Sequence, residues 1–276
     1  MSDGANAVHA PPAWVPDVRA ITFDFGNTLV PVRHEVLRGV VDATAQQVVE
    51  RCGPFALEAF LEAWKEERER QFAEEVPEFR EVQIPQRVVR VLARLRGMAV
   101  PSRELRWDDA IAATYSTADE VLWSTEVYSA EFVARVSVPE AVGPMLERLS
   151  GRFRLAVLSN WPLAATIDRY VEAAGWARWL HAIVVSERVG TIKPHPDIFR
   201  SASDALDVPP GAILHVGDDW AADVVGAKAA GWRAAYLRAP RGASPLPESE
   251  PDDRAAADLE LAALTELEAA LEGRAP

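Results

Sequence analysis

Carboxylates, a hydroxyl and a lysine follow apolar segments of this sequence at separate points along the chain. Asp24 comes directly after one apolar segment, Ser159 ends a second, and the pair Asp218 and Asp219 follows a third. Lys193 lies in the link after a fourth. Carboxylate oxygens can attack an electrophile or hold a hard divalent cation. A lysine can neutralise an anion that is bound beside them.

The apolar segments are predicted to be strands of a parallel sheet. Residues 20–25 are almost continuously apolar, as in a central strand covered on both faces. After Pro139, strand patterns at 154–159, 182–186, 212–216 and 233–237 alternate with helical patterns, which is typical of βαβ units. The carboxyl ends of parallel strands meet at one sheet edge, where α/β proteins bind ligands. We therefore expect the polar side chains to converge there.

Each of these residues also has a purely structural interpretation. A single Asp that closes a strand is usually a turn or cap residue. Gly217-Asp218 before a helix fits an N-cap, and Ser159-Asn160 before Pro162 fits a capped helix start. Their joint occurrence, on elements that share one sheet edge, favours a functional site.

The fold class predicted for the chain is α/β, a doubly wound, Rossmann-like parallel sheet with an inserted all-helical cap. The core takes residues 19–33 and 139–271, and the cap takes residues 34–138, where helical patterns occur without strands. Residues 1–18 and 272–276 are predicted to be loose termini.

Charge and composition exclude several classes of protein. The 276 residues carry a net charge of −13, so binding to nucleic acid or to an anionic membrane would work against the mean field. The three lysines are Lys65, Lys193 and Lys228. A single cysteine, Cys52, suits a reducing compartment, and no targeting segment or long apolar run is evident. We expect a cytoplasmic protein without nucleic-acid or membrane partners, whose oligomeric state is open.

The order of the polar motifs resembles the four motifs of the haloacid dehalogenase superfamily, in its helical-cap subclass. The resemblance covers nearly the whole chain, and it is especially close from Ser186 to Phe199. The matching segments are Asp24-Phe25-Gly26-Asn27-Thr28-Leu29, Leu158-Ser159-Asn160, Lys193-Pro194 and Gly217-Asp218-Asp219-x-x-x-Asp223.

The resemblance implies a hydrolase that acts on a small phosphorylated molecule. Asp24 would be the nucleophile that forms an aspartyl-phosphate, Ser159 would hydrogen-bond the phosphoryl group, and Lys193 would neutralise charge between them. The substrate-binding residues that it implies are Asn27, Thr28 and Asn160.

The cofactor that the resemblance implies is Mg²⁺. Its ligands would be a carboxylate oxygen of Asp24, the backbone carbonyl of Gly26, a carboxylate of Asp218, a phosphate oxygen and waters. Asp223, and with it Asp219, would orient the other ligands of the ion.

The sequence departs from the family pattern at position 26. Phosphatases of the family carry a second Asp there, which protonates the leaving oxygen, whereas this chain has Gly26. Metal binding through the backbone carbonyl of residue 26 does not need the missing side chain. Acid/base catalysis by that side chain, which is worth roughly 10²–10⁴-fold in rate, is lost. We expect slow turnover of alkyl phosphates and better turnover of aryl or acyl phosphates. His34, at the start of the cap, is a candidate substitute acid.

Three alternatives remain open at the level of sequence. The chain could be a catalytically degenerate, phosphate-binding or regulatory protein. It could be a dehalogenase-like hydrolase, although Asp218 and Asp223 argue against this because halide displacement needs no Mg²⁺. It could also be phosphonatase-like, with Lys65 as the cap lysine that forms a Schiff base. Trp161 and Trp220 either line the substrate cleft or pack beneath the cap.

Overall fold

A six-stranded sheet forms the centre of the protein in the computed structural model, which describes residues 11–102, 104–238 and 244–272. All neighbouring strands pair in parallel, in the order β3-β2-β1-β4-β5-β6. The predicted parallel sheet is thus confirmed, with β1 at its centre. The strands are β1 (Ala20–Phe23), β2 (Arg154–Ser159), β3 (Leu180–Val185), β4 (Ile213–Gly217), β5 (Arg233–Leu237) and β6 (Leu259–Leu261).

Helices separate β1 from β2, and the described part of residues 34–138 contains no strand. We keep 34 and 138 as proposed boundaries of a cap, supported by this change from strand to helix. The helices of this insertion are α1 (His34–Cys52), α2 (Leu57–Glu75), α3 (Ile84–Leu95), α4 (Asp109–Ala112) and α5 (Ala118–Arg135).

The remaining helices cover the two faces of the sheet. Leu146, Ile167 and Leu267 pack on the face that carries Ile21, whereas Phe199 packs on the opposite face. Alternation of side chains along each strand therefore feeds two hydrophobic layers, which confirms the doubly wound, Rossmann-like arrangement. These helices are α6 (Val142–Ser150), α7 (Ala164–Ala173), α8 (Ser186–Val189), α9 (Pro196–Leu206), α10 (Gly226–Ala229) and α11 (Leu267–Glu272).

Helix α5 fixes the helical insertion to the sheet. The Phe132 ring packs edge-on against Trp161 and Tyr170, at centroid distances of 5.3 and 6.0 Å. The Ser129 and Thr166 hydroxyls hydrogen-bond at 2.9 Å between α5 and α7. Because Trp161 follows β2, this contact holds the insertion over the carboxyl edge of the sheet.

The predicted loose N-terminal segment is partly wrong. Residues 1–10 lie outside the described residues, but Val15 and Val18 are buried in the hydrophobic core. Burial of these two side chains anchors the approach to β1. Residue 272 ends α11, and residues 273–276 lie outside the described range.

None of the helices within the described ranges is both long enough and apolar enough to cross a bilayer.

The start of α5 supports a stability prediction. Thr117 and Glu120 form a capping box, and Glu120 also accepts hydrogen bonds from Arg96 at 2.5 and 3.0 Å. The Arg96 guanidinium, against the opposing effect of burial, lowers the Glu120 pKa from 4.5 to about 2. The charged Glu120 therefore stabilises the folded protein fully at pH values above its unfolded-state pKa of 4.5. This stabilisation is lost as the pH falls toward the folded-state pKa of about 2.

Glu120→Gln, which keeps an acceptor in the box, should lower the free energy of unfolding by about 1 kcal/mol near neutral pH. Urea unfolding at about pH 7 and about pH 3 should show the difference from wild type shrinking at the lower pH. Glu126→Gln, at an exposed ion pair with Arg169, is the control and should change stability little. An equal loss at both pH values would contradict the assignment.

Candidate active site

Asp24 directly follows β1 and lies at the carboxyl edge of the sheet. Its Oδ1 accepts hydrogen bonds from the Ser159 hydroxyl at 3.0 Å and from Lys193 Nζ at 2.7 Å. No hydrogen bond to its Oδ2 occurs within the described residues. The residue is 9% exposed, so two donors fix one rotation of a nearly buried carboxylate and leave one oxygen available. Three residues predicted to be catalytic are thus in direct contact.

Lys193 is the cation of this group and is itself buried. Its Nζ donates to Asp24 Oδ1, to Asp223 Oδ1 at 2.6 Å and to the Leu158 carbonyl at 2.9 Å. Against the opposing effect of burial, Asp223 and Asp24 raise the Lys193 pKa, so the ammonium stays charged. An ammonium held by three acceptors is a fixed positive charge beside Asp24.

Asp223 holds Lys193 in place and is held from behind by a histidine. His215 Nε2 lies 3.0 Å from Asp223 Oδ1, and its Nδ1 lies 2.8 Å from the Thr22 hydroxyl. Burial lowers the His215 pKa, which leaves the ring neutral, with Nε2–H donating to the carboxylate and Nδ1 accepting from Thr22. Despite burial, Lys193 and His215 lower the Asp223 pKa. Asp223 is therefore an anion that orients Lys193.

Gly217, at the end of β4, is the residue against which the Asp223 side chain packs. A Cβ at Gly217 would collide with the Asp223 carboxyl group. Asp223 Oδ2 also accepts from the Asp219 backbone N–H at 2.9 Å. Both Asp223 oxygens thus have partners within the protein, which fix the orientation of this carboxylate.

Asp218 faces the same space as Asp24. Burial, together with the charges of Asp24 and Asp223, raises the Asp218 pKa to about 8. Burial and Asp223, opposed by Lys193, raise the Asp24 pKa to about 6. Burial is the largest cause of both shifts, and a cation bound between Asp24 and Asp218 would stabilise the charged form of both carboxylates.

The site has features of a magnesium site. A cavity of about 90 Å³ is lined by Asp24, Gly26, Asp218 and Asp219, among others. The described residues contain no group of three or more His, Cys, Asp or Glu side chains that could hold a metal by themselves. Mg²⁺ commonly uses one or two carboxylates and takes its other oxygens from carbonyls, substrate and water. Asp24, Asp218 and the Gly26 carbonyl fit that donor set.

The predicted substrate-binding residues serve the surrounding loops in this structure. The Thr28 hydroxyl donates to Asp218 Oδ1 at 2.9 Å. Asn27, in the left-handed region at φ 58°, accepts from the Val32 N–H through its side chain at 3.2 Å. Asn160 exchanges two hydrogen bonds with the backbone of Lys193, at 2.7 and 3.0 Å. Asn27 and Asn160 line the small cavity, but substrate contact by all three residues stays a prediction.

Position 26 is closed by apolar side chains. A Cβ at Gly26 would collide with Leu246 and lie 3.3 Å from the Trp161 ring. Leu246 belongs to the loop after β5, where Ser249 donates to Asp219 at 2.7 Å. The space beside the Gly26 Cα is therefore occupied by the end of the Leu246 side chain, which would have to move to admit a side chain at position 26.

A second cavity of about 410 Å³ adjoins the first, and the two share Asn160, Lys193, Asp219 and Leu246. Helices α2, α3 and α5 form one side of it. Trp161 lines this cavity, and so does Trp64, which has no special signal in the sequence. Trp220 instead packs on Tyr236 at 5.1 Å.

Two residues that were considered as alternatives lie elsewhere. The Lys65 side chain is 77% exposed and lies 4.0 Å from Glu69, so a Schiff base at this lysine is not supported. His34 is exposed at the start of α1 and lines neither of these two cavities, so its suggested role as an acid is not supported either.

Comparisons with known proteins agree with this geometry. A model of haloacid dehalogenase-like hydrolases matches residues 18–231. The 5-amino-6-(5-phospho-D-ribitylamino)uracil phosphatase YigB of Escherichia coli is 27% identical over 82% of this chain and 85% of its own. The phosphoserine phosphatase of Thermus thermophilus is 32% identical over 59% of this chain and 66% of its own.

Solved structures show the same fold. A 2-haloacid dehalogenase from Pseudomonas syringae is 26% identical with a TM-score of 0.65, covering 92% of this chain and 98% of its own. A phosphatase from Thermococcus onnurineus has a TM-score of 0.54 at 20% identity, over 93% and 99%. With the motif residues converging at one sheet edge and a family model that matches most of its length, the chain belongs to the haloacid dehalogenase-like hydrolases.

Proposed function

We propose that this hydrolase is a Mg²⁺-dependent phosphatase that acts on a small phosphorylated molecule through a phosphorylated Asp24. The observation that carries the proposal is the Asp24 carboxylate, held by Ser159 and Lys193 in a cavity that Asp218 shares. The phosphatases among its relatives support the reaction class.

In the proposed reaction, an Asp24 oxygen forms a bond to phosphorus as the bond from phosphorus to the leaving oxygen breaks. The leaving group keeps that electron pair. Lys193 neutralises charge that develops on the phosphoryl oxygens, and Ser159 donates a hydrogen bond beside it. Water then attacks phosphorus, which releases phosphate and regenerates the Asp24 carboxylate.

Asp24, Asp218 and the Gly26 carbonyl would hold Mg²⁺, and Asp223 would act through Lys193 and the Asp219 backbone. When bound, the ion supplies positive charge to the phosphoryl oxygens.

Metal binding should be visible without catalysis. Mg²⁺ at saturation should raise the melting temperature of the wild type by at least about 3 °C, because it binds the folded state between like charges. Asp218→Asn should lose the shift, whereas Asp168→Asn, at an exposed ion pair with Arg188, should keep it. A shift of equal size in the Asp218 variant would place the bound metal elsewhere.

The leaving group should decide the rate. With no acid at position 26, aryl and acyl phosphates, which leave as weakly basic anions, should react faster than alkyl phosphates by roughly 10²–10⁴-fold. Initial rates on one member of each class, with Mg²⁺ and with EDTA, test this expectation. Equal rates on the three classes would show that another group donates the proton.

A specific observation also favours a second candidate, a phosphate-binding protein with little turnover. Leu246 fills the space at Gly26 where the family phosphatases carry an acid. Binding of phosphate mimics with no product from any phosphate class would support this candidate. The dehalogenase among the solved structures offers a third reaction, but the cation site proposed at Asp218 has no use in halide displacement.

A further inference from the structure

Arg87, on α3, is a buried cation that has no ion-pair partner among the described residues. The residue is 4% exposed and lines the cavity of about 410 Å³. Its Nε donates to Gln71 at 2.8 Å, and its Nη2 makes a long contact of 3.4 Å with the Val82 carbonyl. A guanidinium has five N–H donors, so most of them have no protein acceptor within the described residues.

The charge on Arg87 is only weakly compensated. Burial lowers the Arg87 pKa to about 10, which still leaves the guanidinium charged at neutral pH. Glu81 and Glu67 lie near enough to favour the charged form, but Glu81 is bound by Ser186 and Glu67 pairs with Arg94. A buried charge of this kind is costly unless a partner is supplied.

Two further donors face the same cavity. Tyr128, on α5, is buried and lines the cavity, and its hydroxyl has no hydrogen-bond partner within the described ranges. Arg68, on α2, also lines it, and the one hydrogen bond that it donates to the described part of the chain is a contact of 3.4 Å with the Pro245 carbonyl. Arg68, Arg87 and Tyr128 therefore come from three helices and have donors to which no described residue offers an acceptor.

Most of the rest of the cavity wall is apolar and aromatic, although the acidic residues Glu81, Asp219 and Glu248 also line it. The Arg87 guanidinium lies 5.1 Å from the centroid of the Trp64 ring. The Trp64 ring in turn stacks on the Tyr128 ring, with 6.2 Å between their centroids. Such walls bind a flat or apolar organic body and strengthen any charge contact by excluding water. The apolar wall is formed by Leu37, Val41, Trp64, Phe72, Val76, Phe79, Val82, Ile84, Trp161 and Ile192, among others.

We propose that this cavity binds the organic body of the substrate, and that Arg87, with Tyr128 and Arg68, binds a carboxylate at the end remote from the phosphate. Because the cavity adjoins the Asp24 site, one molecule can reach both. The substrate class is then an aryl or acyl phosphate that carries a carboxylate on an apolar or aromatic body. Only the placement of the substrate's phosphate group at Asp24 rests on the proposed phosphatase activity.

Matched ligand pairs test the carboxylate contact. 4-Carboxyphenyl phosphate is compared with 4-carbamoylphenyl phosphate, its neutral isostere, and 4-(2-carboxyethyl)phenyl phosphate is compared with its amide to vary the reach. KM is measured with Mg²⁺ on the wild type, and dissociation constants are measured by calorimetry on Asp24→Asn. The carboxylate of at least one pair should bind at least about tenfold more tightly than the amide.

Variants assign the preference to residues. Arg87→Gln should bring the carboxylate-to-amide ratio close to one, and Tyr128→Phe and Arg68→Gln should each reduce it several-fold. The last two keep the test usable if Arg87→Gln does not fold. Arg135→Gln is the matched control, since Arg135 also lies on a helix of the insertion, α5, but is exposed and pairs with Glu131 outside this cavity. It should leave the ratio unchanged.

Failure of the subsite and failure of the phosphatase assignment give different results. Turnover with equal KM for acid and amide, or a preference that survives in the folded Arg87, Tyr128 and Arg68 variants, overturns the subsite and leaves the activity. A carboxylate preference in calorimetry that Arg87→Gln removes, without turnover in the wild type, supports the subsite and overturns the activity.

Discussion

Asp24→Asn is expected to reduce turnover of the best phosphate ester by at least about 10⁴-fold, to the rate of buffer alone. An amide at this position cannot attack phosphorus, and it removes the charge that Lys193 Nζ contacts at 2.7 Å. The fold should survive, because Lys193 keeps its hydrogen bonds to Asp223 and to the Leu158 carbonyl. Initial rates and thermal melting of the purified variant measure both effects.

Asp168→Asn is the matched control for this substitution. The same chemical change, made at an exposed ion pair with Arg188, should leave the rate within about twofold of the wild type, as is usual for surface positions. Turnover by a folded Asp24→Asn variant at a substantial fraction of the wild-type rate would assign the nucleophile to another group.

The second large effect concerns the position that lacks an acid. Gly26→Asp combined with Leu246→Ala should raise turnover of alkyl phosphates by roughly 10²–10⁴-fold, with a much smaller gain on aryl phosphates. The smaller side chain at position 246 makes room for the new carboxyl group beside the Gly26 Cα. Gly26 does not have a positive φ, so its backbone accepts an aspartate. Rates on paired alkyl and aryl substrates measure the change.

The two single substitutions separate the effect of the added space from the effect of the added acid. Gly26→Asp alone requires the Leu246 side chain to move and should gain less than the double variant. Leu246→Ala alone adds no acid and should gain nothing on alkyl phosphates. A double variant that folds, binds phosphate and still shows no selective gain on alkyl phosphates would refute the explanation of slow alkyl turnover by the missing acid.

The core of the fold is predictable from the sequence because its signals are local. Continuous apolar strands, alternating with helices across short links, specify a parallel sheet whose carboxyl edge collects Asp24, Ser159 and Asp218. The N-terminal segment was predicted less well. Its prolines indicate a loose leader, but Val15 and Val18 are buried because they join the hydrophobic core, which residues distant in the sequence form.

The contacts that tune the site could not be predicted in the same way. His215 lies in an apolar strand, and its contact with Asp223 depends on how β4 meets the following turn. A polar residue in the segment Ile213–Gly217 is the one signal that could have indicated it. Leu246, which occupies the space beside Gly26, lies in a proline-containing loop 220 residues further along the chain. No sequence pattern indicates that this loop folds back against position 26.

The cap cavity is another feature that only the structure shows. Arg87 occurs in a helix with Arg90 and Arg94, and the sequence does not distinguish the three. Ion pairs with Glu74 and Asp109 neutralise Arg90, and Glu66 and Glu67 neutralise Arg94. Arg87 differs because tertiary packing leaves it facing a cavity, and no acidic side chain in the described ranges forms an ion pair with it.

The central claim is that a phosphoryl group becomes covalently bound to Asp24. Acid quenching of the enzyme during turnover of an aryl phosphate with Mg²⁺, followed by peptide mass spectrometry, tests it directly. We expect one added phosphoryl group on the peptide that contains Asp24, and none on the same peptide of Asp24→Asn. Steady product formation with no adduct, or an adduct on a different residue, would contradict it.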